Sequence, residues 1–141
     1  SIEVQIPFIQ RMLGDVTISP IVVGGASPQQ VAQALDAVWG GPETLIVIST
    51  DLSHYLDYAA AIRTDRETIE DVLQLSSTIA SDRACGAHPM NGMLLAAGER
   101  GMEIRLLAAC NSGDTAGELD RVVGYAAFAL TEPHHGEGGE S

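Results

Sequence analysis

At 141 residues with 45% hydrophobic content, the chain is the size of one small domain and carries enough apolar material for a packed core, which excludes wholesale disorder. Seven basic residues against nineteen acidic ones give a net charge of -12 and a pI of about 4.4, so phosphate backbones and anionic lipid surfaces are repelled and nucleic acid is not an expected partner. No apolar run approaches the roughly 20 residues that span a bilayer, and the first residues lack a basic region, apolar stretch and small-residue cleavage site; a soluble, cytoplasmic protein without a membrane partner is expected.

In chain order, Ile6, Ile9, Met12 and Leu13 recur at helical spacing, with Pro7 tolerated in the first turn and Gly14 as the stop. Residues 16–23 are rich in β-branched side chains and end in Gly24-Gly25, which predicts a strand running into a turn. Ser27-Pro28 then reads as a helix N-cap followed by Pro at the first helical position, and Val31, Leu35, Val38 and Trp39 make one apolar stripe before Gly40-Gly41-Pro42. Residues 44–50, continuously apolar from Leu45 to Ile48, predict a central parallel strand covered on both faces. A helix bearing Ile69, Val72 and Leu73 follows, then a helix from Pro89 to about Glu99 with Met90, Met93, Leu94 and Ala97 inward. Two strands, roughly 103–109 and 122–130, close the core around a turn-rich segment, 111–117. The alternation predicts an α/β fold: a mostly parallel or mixed sheet with helices on both faces, over residues 1–131, and a polar, Gly-rich tail, 132–141, expected to be disordered.

Chemistry is expected where strands end. Asp51-Leu52-Ser53-His54 follows the apolar run directly, at the carboxyl end of a predicted strand where ligand sites gather. A carboxylate and an imidazole three residues apart can converge on one ligand, or the carboxylate can orient the ring so that its other nitrogen acts as base or ligand. The plainer alternative is that Asp51 caps the next helix and His54 packs at its start. In Cys85-Gly86-Ala87-His88-Pro89, Pro89 at a first helical turn puts His88 near the N-cap with Cys85 just ahead, where free N–H groups favour a thiolate. Cys and His both ligate iron, copper or zinc; the alternative is an inert cysteine beside a helix start. Ser112-Gly113-Asp114-Thr115 reads first as a plain turn and second as part of the same cleft. Cys110 reads as a core residue, and two cysteines are too few for a disulfide framework, so both thiols are expected reduced. His134-His135 lies in the tail and is given no native role. Gly24-Gly25 lacks both the Lys-Ser/Thr ending of a phosphate loop and the G-x-G-x-x-G spacing.

At these residues the chain resembles a known family, the Memo-like proteins, called protein B of the AmmeMemoRadiSam system in microbes. The matching stretches are residues 1–8 (SIEVQIPF), 48–55 (ISTDLSHY), 84–89 (ACGAHP), 112–114 (SGD) and 122–127 (VVGYAA), in the family's order. The resemblance implies a fold similar to class III extradiol dioxygenases, which use non-haem iron, and a metal held by two histidines and one cysteine. The cysteine matches Cys85, and Asp51 and His54 match an Asp/His pair facing the same cleft. Both metal histidines belong to the family's N-terminal half, so this chain is expected to be the C-terminal portion and to hold a partial ligand set, Cys85 with His54 or His88 nearby.

Three functions follow as expectations. The first is a metal-dependent redox protein of dioxygenase type, with iron or copper held by Cys85 and upstream histidines, His54 as acid and base, and Asp51 orienting His54. The second is a module that binds a peptide or small anion in the same cleft, with His54 and His88 as donors and little or no turnover. The third is a thiol enzyme with Cys85 as nucleophile and His88 or His54 as base. An unpaired sheet edge makes association with another copy an expectation as well.

Overall fold

The computed structural model describes residues 2–133. A 3-10 turn at Ile2–Val4 leads into helix α1, Ile6–Leu13, which has Pro in its first turn and ends at Gly14, whose φ of 69° suits a residue without a β-carbon. Its apolar side chains are not buried: Phe8, Met12 and Leu13 stand exposed, Met12 at 79%. Helix α2, Pro28–Val38, starts as expected on Ser27, whose hydroxyl accepts the Gln30 N–H while the Gln30 side chain accepts the Ser27 N–H. This reciprocal pair satisfies two of the helix's free donors.

Helix α3, Tyr58–Leu73, is capped by Asp57, whose carboxylate accepts the Ala60 N–H; Asp51 is therefore not a helix cap. Helix α4 runs from Ala87 to Glu99 and buries Met90, Met93, Leu94 and Ala97, the four positions expected inward. A last short helix, α5, spans Gly113–Ala116.

The strands differ from expectation. The sheet has three members, β1 (His54–Leu56), β2 (Glu103–Asn111) and β3 (Val122–Thr131), in the order β1-β3-β2, and both pairings are antiparallel. The expected parallel or mixed sheet is thus not what the described residues form, although the α/β class holds. The connection between β2 and β3 is too short for a crossover, so the two strands fold back on each other. Residues 16–23 and 44–50, expected as strands, form no ladder among the described residues. In 44–50 the apolar patterning reflects packing on one side, whereas 16–22 stand exposed. Ile46 and Ile48 pack against the core while Leu45 and Val47 alternate outward, and Val22 is 92% exposed. Strand β1 was not expected; three residues are too few to leave a periodic signature.

Helix α4 is the centre of the core. On one side Val72, Ile79, Ala84, Ala87, Met90 and Leu94 cluster; on the other Val31, Leu35 and Met93 do, and Ile48 packs against both groups. Asn91 secures the turn after α3, its side chain accepting the Ile79 N–H and donating to the Ile79 carbonyl, both at 2.9 Å. Cys110, expected in the core, lies exposed opposite Tyr125 on the hairpin; both cysteines are free. Of the expected tail, Glu132 accepts a hydrogen bond from the Trp39 indole, and residues 134–141, with His134 and His135, lie outside the described residues.

The contact between α2 and α4 depends on Gly92, where a β-carbon would overlap the Val31 side chain, whereas Gly98 on the same helix faces open space. Gly92→Ala is expected to lower stability by about 1–3 kcal/mol through overpacking, and Gly98→Ala to raise it by up to about 1 kcal/mol through helix propensity. Urea titration of the two variants followed by circular dichroism checks both signs.

Candidate functional site

The segment that leaves the core at Ile48 is held on every side by hydrogen bonds. The Thr50 hydroxyl donates to the Asp51 carbonyl and accepts the Gly86 N–H, each at 2.8 Å. The Asp51 N–H donates to Cys85 Sγ at 3.2 Å, and the Cys85 N–H returns a bond to the Asp51 carbonyl at 3.3 Å. Leu52 N–H donates to the Gly124 carbonyl and Gly124 N–H to the Ser53 carbonyl, both 2.9 Å, which stitches the turn to β3. Gln5 adds a bond from its amide to the Ser49 hydroxyl. Ordinary backbone chemistry therefore carries Asp51 and Cys85, 34 positions apart, into contact.

His54 opens β1 opposite Val123, and the register is irregular between His54 and Leu56. Tyr55 adopts φ 59°, the left-handed region that a bulky residue rarely enters, and Arg121 stacks on its ring at 4.8 Å. The strained residue turns the chain directly after His54. His54 Nε2 lies 3.7 Å from Asp51 Oδ2, too long for a hydrogen bond but close to the roughly 3.4 Å edge of a tetrahedron built on about 2.1 Å metal–ligand bonds. Ligand atoms of Asp51, His54 and Cys85 all fall within 4.8 Å of one another; Asp51 and His54 are half-buried and Cys85 is exposed. A thiolate, an imidazole and a carboxylate are a mixed soft and hard donor set suited to iron, copper or zinc, and three donors leave a coordination position open.

The expected site residues divide accordingly. Asp51, His54 and Cys85 come together. His88 sits in the first turn of α4, outside that trio, with Nδ1 3.1 Å from the Ala26 carbonyl, where it ties the loop before α2 to α4. Ser112–Asp114 opens α5: Asp114 accepts the Asn111 N–H at 2.9 Å and the Tyr58 hydroxyl at 2.8 Å, and the Ser112 hydroxyl accepts the Val123 N–H. The Asn111 N–H, then the Tyr58 hydroxyl, hold the Asp114 carboxyl below its ordinary range, and the bond to Asp114 with its charge pushes the Tyr58 phenol above 10.

Thr50, Gly86, Asp65 and Gly124 also shape the site and were not anticipated. Gly124 did carry a signal, because an isolated glycine within a strand marks a close backbone approach, whereas Gly86 precedes a helix. At Gly86 a β-carbon would meet Thr50 Cβ at 2.6 Å and the Ser49 carbonyl oxygen at 3.0 Å.

An α/β chain with a Cys, His and Asp cluster at the meeting of a helix start and a sheet edge defines a class of candidate metal proteins. Comparison with known proteins places it more narrowly: the family model for the Memo-like protein matches residues 1–129, and the chain belongs to that family. It is similar to a MEMO1 family protein of Pyrobaculum aerophilum, 34% identical over 91% of this chain and 50% of the relative. MEMO1 family proteins of Methanosarcina mazei, 34% identical over 92% of this chain and 54% of theirs, and of Thermotoga maritima, 35% identical over 92% and 50%, are similar too. The chain spans about half the length of the relatives it matches.

The Tyr58–Asp114 bond has a testable sign. A depressed Asp114 stabilises the fold above the ordinary carboxylate range, and that contribution is lost as pH falls through its lowered value. A raised Tyr58 stabilises the fold below pH 10 and loses its contribution as pH rises through the raised value. Ultraviolet titration is expected to find one phenol above 10 that disappears in Tyr58→Phe and returns to about 10 in Asp114→Asn.

Proposed function

We propose that the chain contributes one wall of a metal cleft in a redox protein of dioxygenase type, with Cys85 as the sulfur ligand of an iron or copper ion. The observation that carries this reading is the convergence of the Asp51, His54 and Cys85 donor atoms to within 4.8 Å. A bound ion of this kind supplies Lewis acidity and a redox couple. His54 stands where Nε2 either joins the ligand set or carries a proton for a molecule bound in the cleft, and Asp51, 3.7 Å away, orients the ring when that nitrogen is protonated. The backbone bond from Asp51 to Cys85 Sγ fixes the sulfur's direction.

The family resemblance implies two further histidine ligands from the other half of a family-length polypeptide, in keeping with the chain's span of about half of its relatives. The same half would cover the outward face of residues 44–50, where Leu45 and Val47 are exposed while Ile46 and Ile48 are packed, and would draw 16–23 and 44–50 into a larger mixed sheet. The substrate is a small molecule or peptide that enters an open, half-exposed cleft.

Elemental analysis of anaerobically purified protein tests the reading on this chain, an upstream-extended form, and Cys85→Ala in each. Stoichiometric iron or copper is expected in the extended form, weaker loading in this chain, and loss of metal with Cys85→Ala in both. No metal in any form, with ligand binding that depends on His54 intact, would replace the redox protein with a binding module.

A further inference from the structure

Helix α3 presents Ala61, Asp65, Thr68 and Val72 as one buried stripe, and Asp65 is the acidic member, only 8% exposed. A carboxylate in such a place is costly unless it is paired. No arginine pairs with it among the described residues, whose ion pairs are His54 with Asp51, Arg83 with Asp71 and Arg100 with Asp36. Its partner is instead a single backbone donor: the Ser53 N–H, at 3.0 Å from Oδ1. That donor lies between Leu52, bonded to β3, and His54. In the turn from Asp51 to Ser53 each N–H is taken, Asp51 by the Cys85 sulfur, Leu52 by the Gly124 carbonyl and Ser53 by Asp65.

Gly124 makes this arrangement possible. A β-carbon there would overlap the Asp65 carboxylate at Oδ2, Cγ and Oδ1 alike. The same glycine exchanges two backbone bonds with Leu52 and Ser53. The bare backbone of β3 and the buried acid of α3 therefore meet on the turn that carries Asp51 and His54. Ser53 is itself fully buried, and its hydroxyl has no hydrogen-bond partner, so the residue is kept inside for its backbone and not for its side chain.

We propose that Asp65, given room by Gly124, is a positioning residue for the metal cleft: its carboxylate pins Ser53 and thereby aims Asp51 and His54 at the Cys85 sulfur. The proposal rests on the metal reading for its consequence and on the hydrogen bonds for its geometry. Asp65 touches neither the sulfur nor the imidazole, and acts through the turn. What it supplies is an acceptor at a fixed point, so an isosteric amide should serve where a truncated side chain does not.

The test compares wild type, Asp65→Asn, Asp65→Ala and Gly124→Ala, with far-UV circular dichroism as the check on folding. Cobalt(II) affinity is read from the sulfur-to-metal absorption band, and the labelling rate of Cys85 by iodoacetamide is followed by peptide mass, with Cys110 as internal reference. Asp65→Ala and Gly124→Ala are expected to weaken cobalt binding about 10- to 100-fold, the range for residues that orient metal ligands, and to raise Cys85 labelling threefold or more as the turn loosens; Asp65→Asn should stay within about threefold of wild type. Wild-type affinity and labelling in folded Asp65→Ala would overturn the proposal. Should Asp65→Ala not fold, Gly124→Ala, which displaces the carboxylate without deleting it, decides by the same two readings. A wild type that takes up no cobalt removes the metal reading alone, and the labelling rates then uphold or overturn the role of Asp65.

Discussion

The reciprocal clasp between Asp51 and Cys85 is the constraint around which the site is built. Each donates a backbone N–H to the other, one to a sulfur and one to a carbonyl, and Thr50 and Gly86 close the seam with a further bond. Because the seam joins the end of an apolar segment to the start of α4, the core that buries Ala84, Ala87 and Met90 and packs Ile48 against them also sets the distance between the cysteine and the Asp/His pair. Packing energy thus does geometric work at the surface: to separate Asp51 from Cys85 the chain would have to withdraw α4 from the middle of its core.

The same seam explains why glycine recurs here. Gly86 lets the backbone approach Thr50, and Gly124 lets a buried acid reach the turn from behind. Tyr55 takes the opposite course and enters the left-handed region with a bulky side chain, a conformation that costs of order 1–3 kcal/mol and persists only where the surroundings enforce it. Its neighbours on β3 and the stacked Arg121 are those surroundings, and the result is a sharp departure of the chain just after His54.

Much of this was legible in the residues. The Ser27-Pro28 start of α2, the inward face of α4 and the strands β2 and β3, though not their antiparallel pairing, follow from capping, periodicity and β-branching, which act locally. Asp51, His54 and Cys85 stood out because chemistry-bearing residues follow an apolar run or precede a helix. Residues 16–23 and 44–50 form no ladder among the described residues, because an apolar run marks a strand only where a neighbouring strand pairs with its N–H and C=O groups. Asp65 was invisible for a different reason. An acidic residue on a helix reads as solvent-facing, and only the three-dimensional meeting of α3 with the Ser53 N–H reveals it as a buried acceptor. His88 illustrates the reverse: proximity in sequence to Cys85 suggested a shared ligand, but one helical turn rotates it toward Ala26.

The account stands or falls on whether Cys85 sulfur belongs to a metal's coordination shell. X-ray absorption at the iron and copper edges of the anaerobically purified protein measures this directly. The account predicts one sulfur scatterer at about 2.3 Å together with nitrogen or oxygen scatterers at about 2.0–2.2 Å, and loss of the sulfur shell in Cys85→Ser. A shell of nitrogen and oxygen alone in the wild-type protein, unchanged by that substitution, would contradict it.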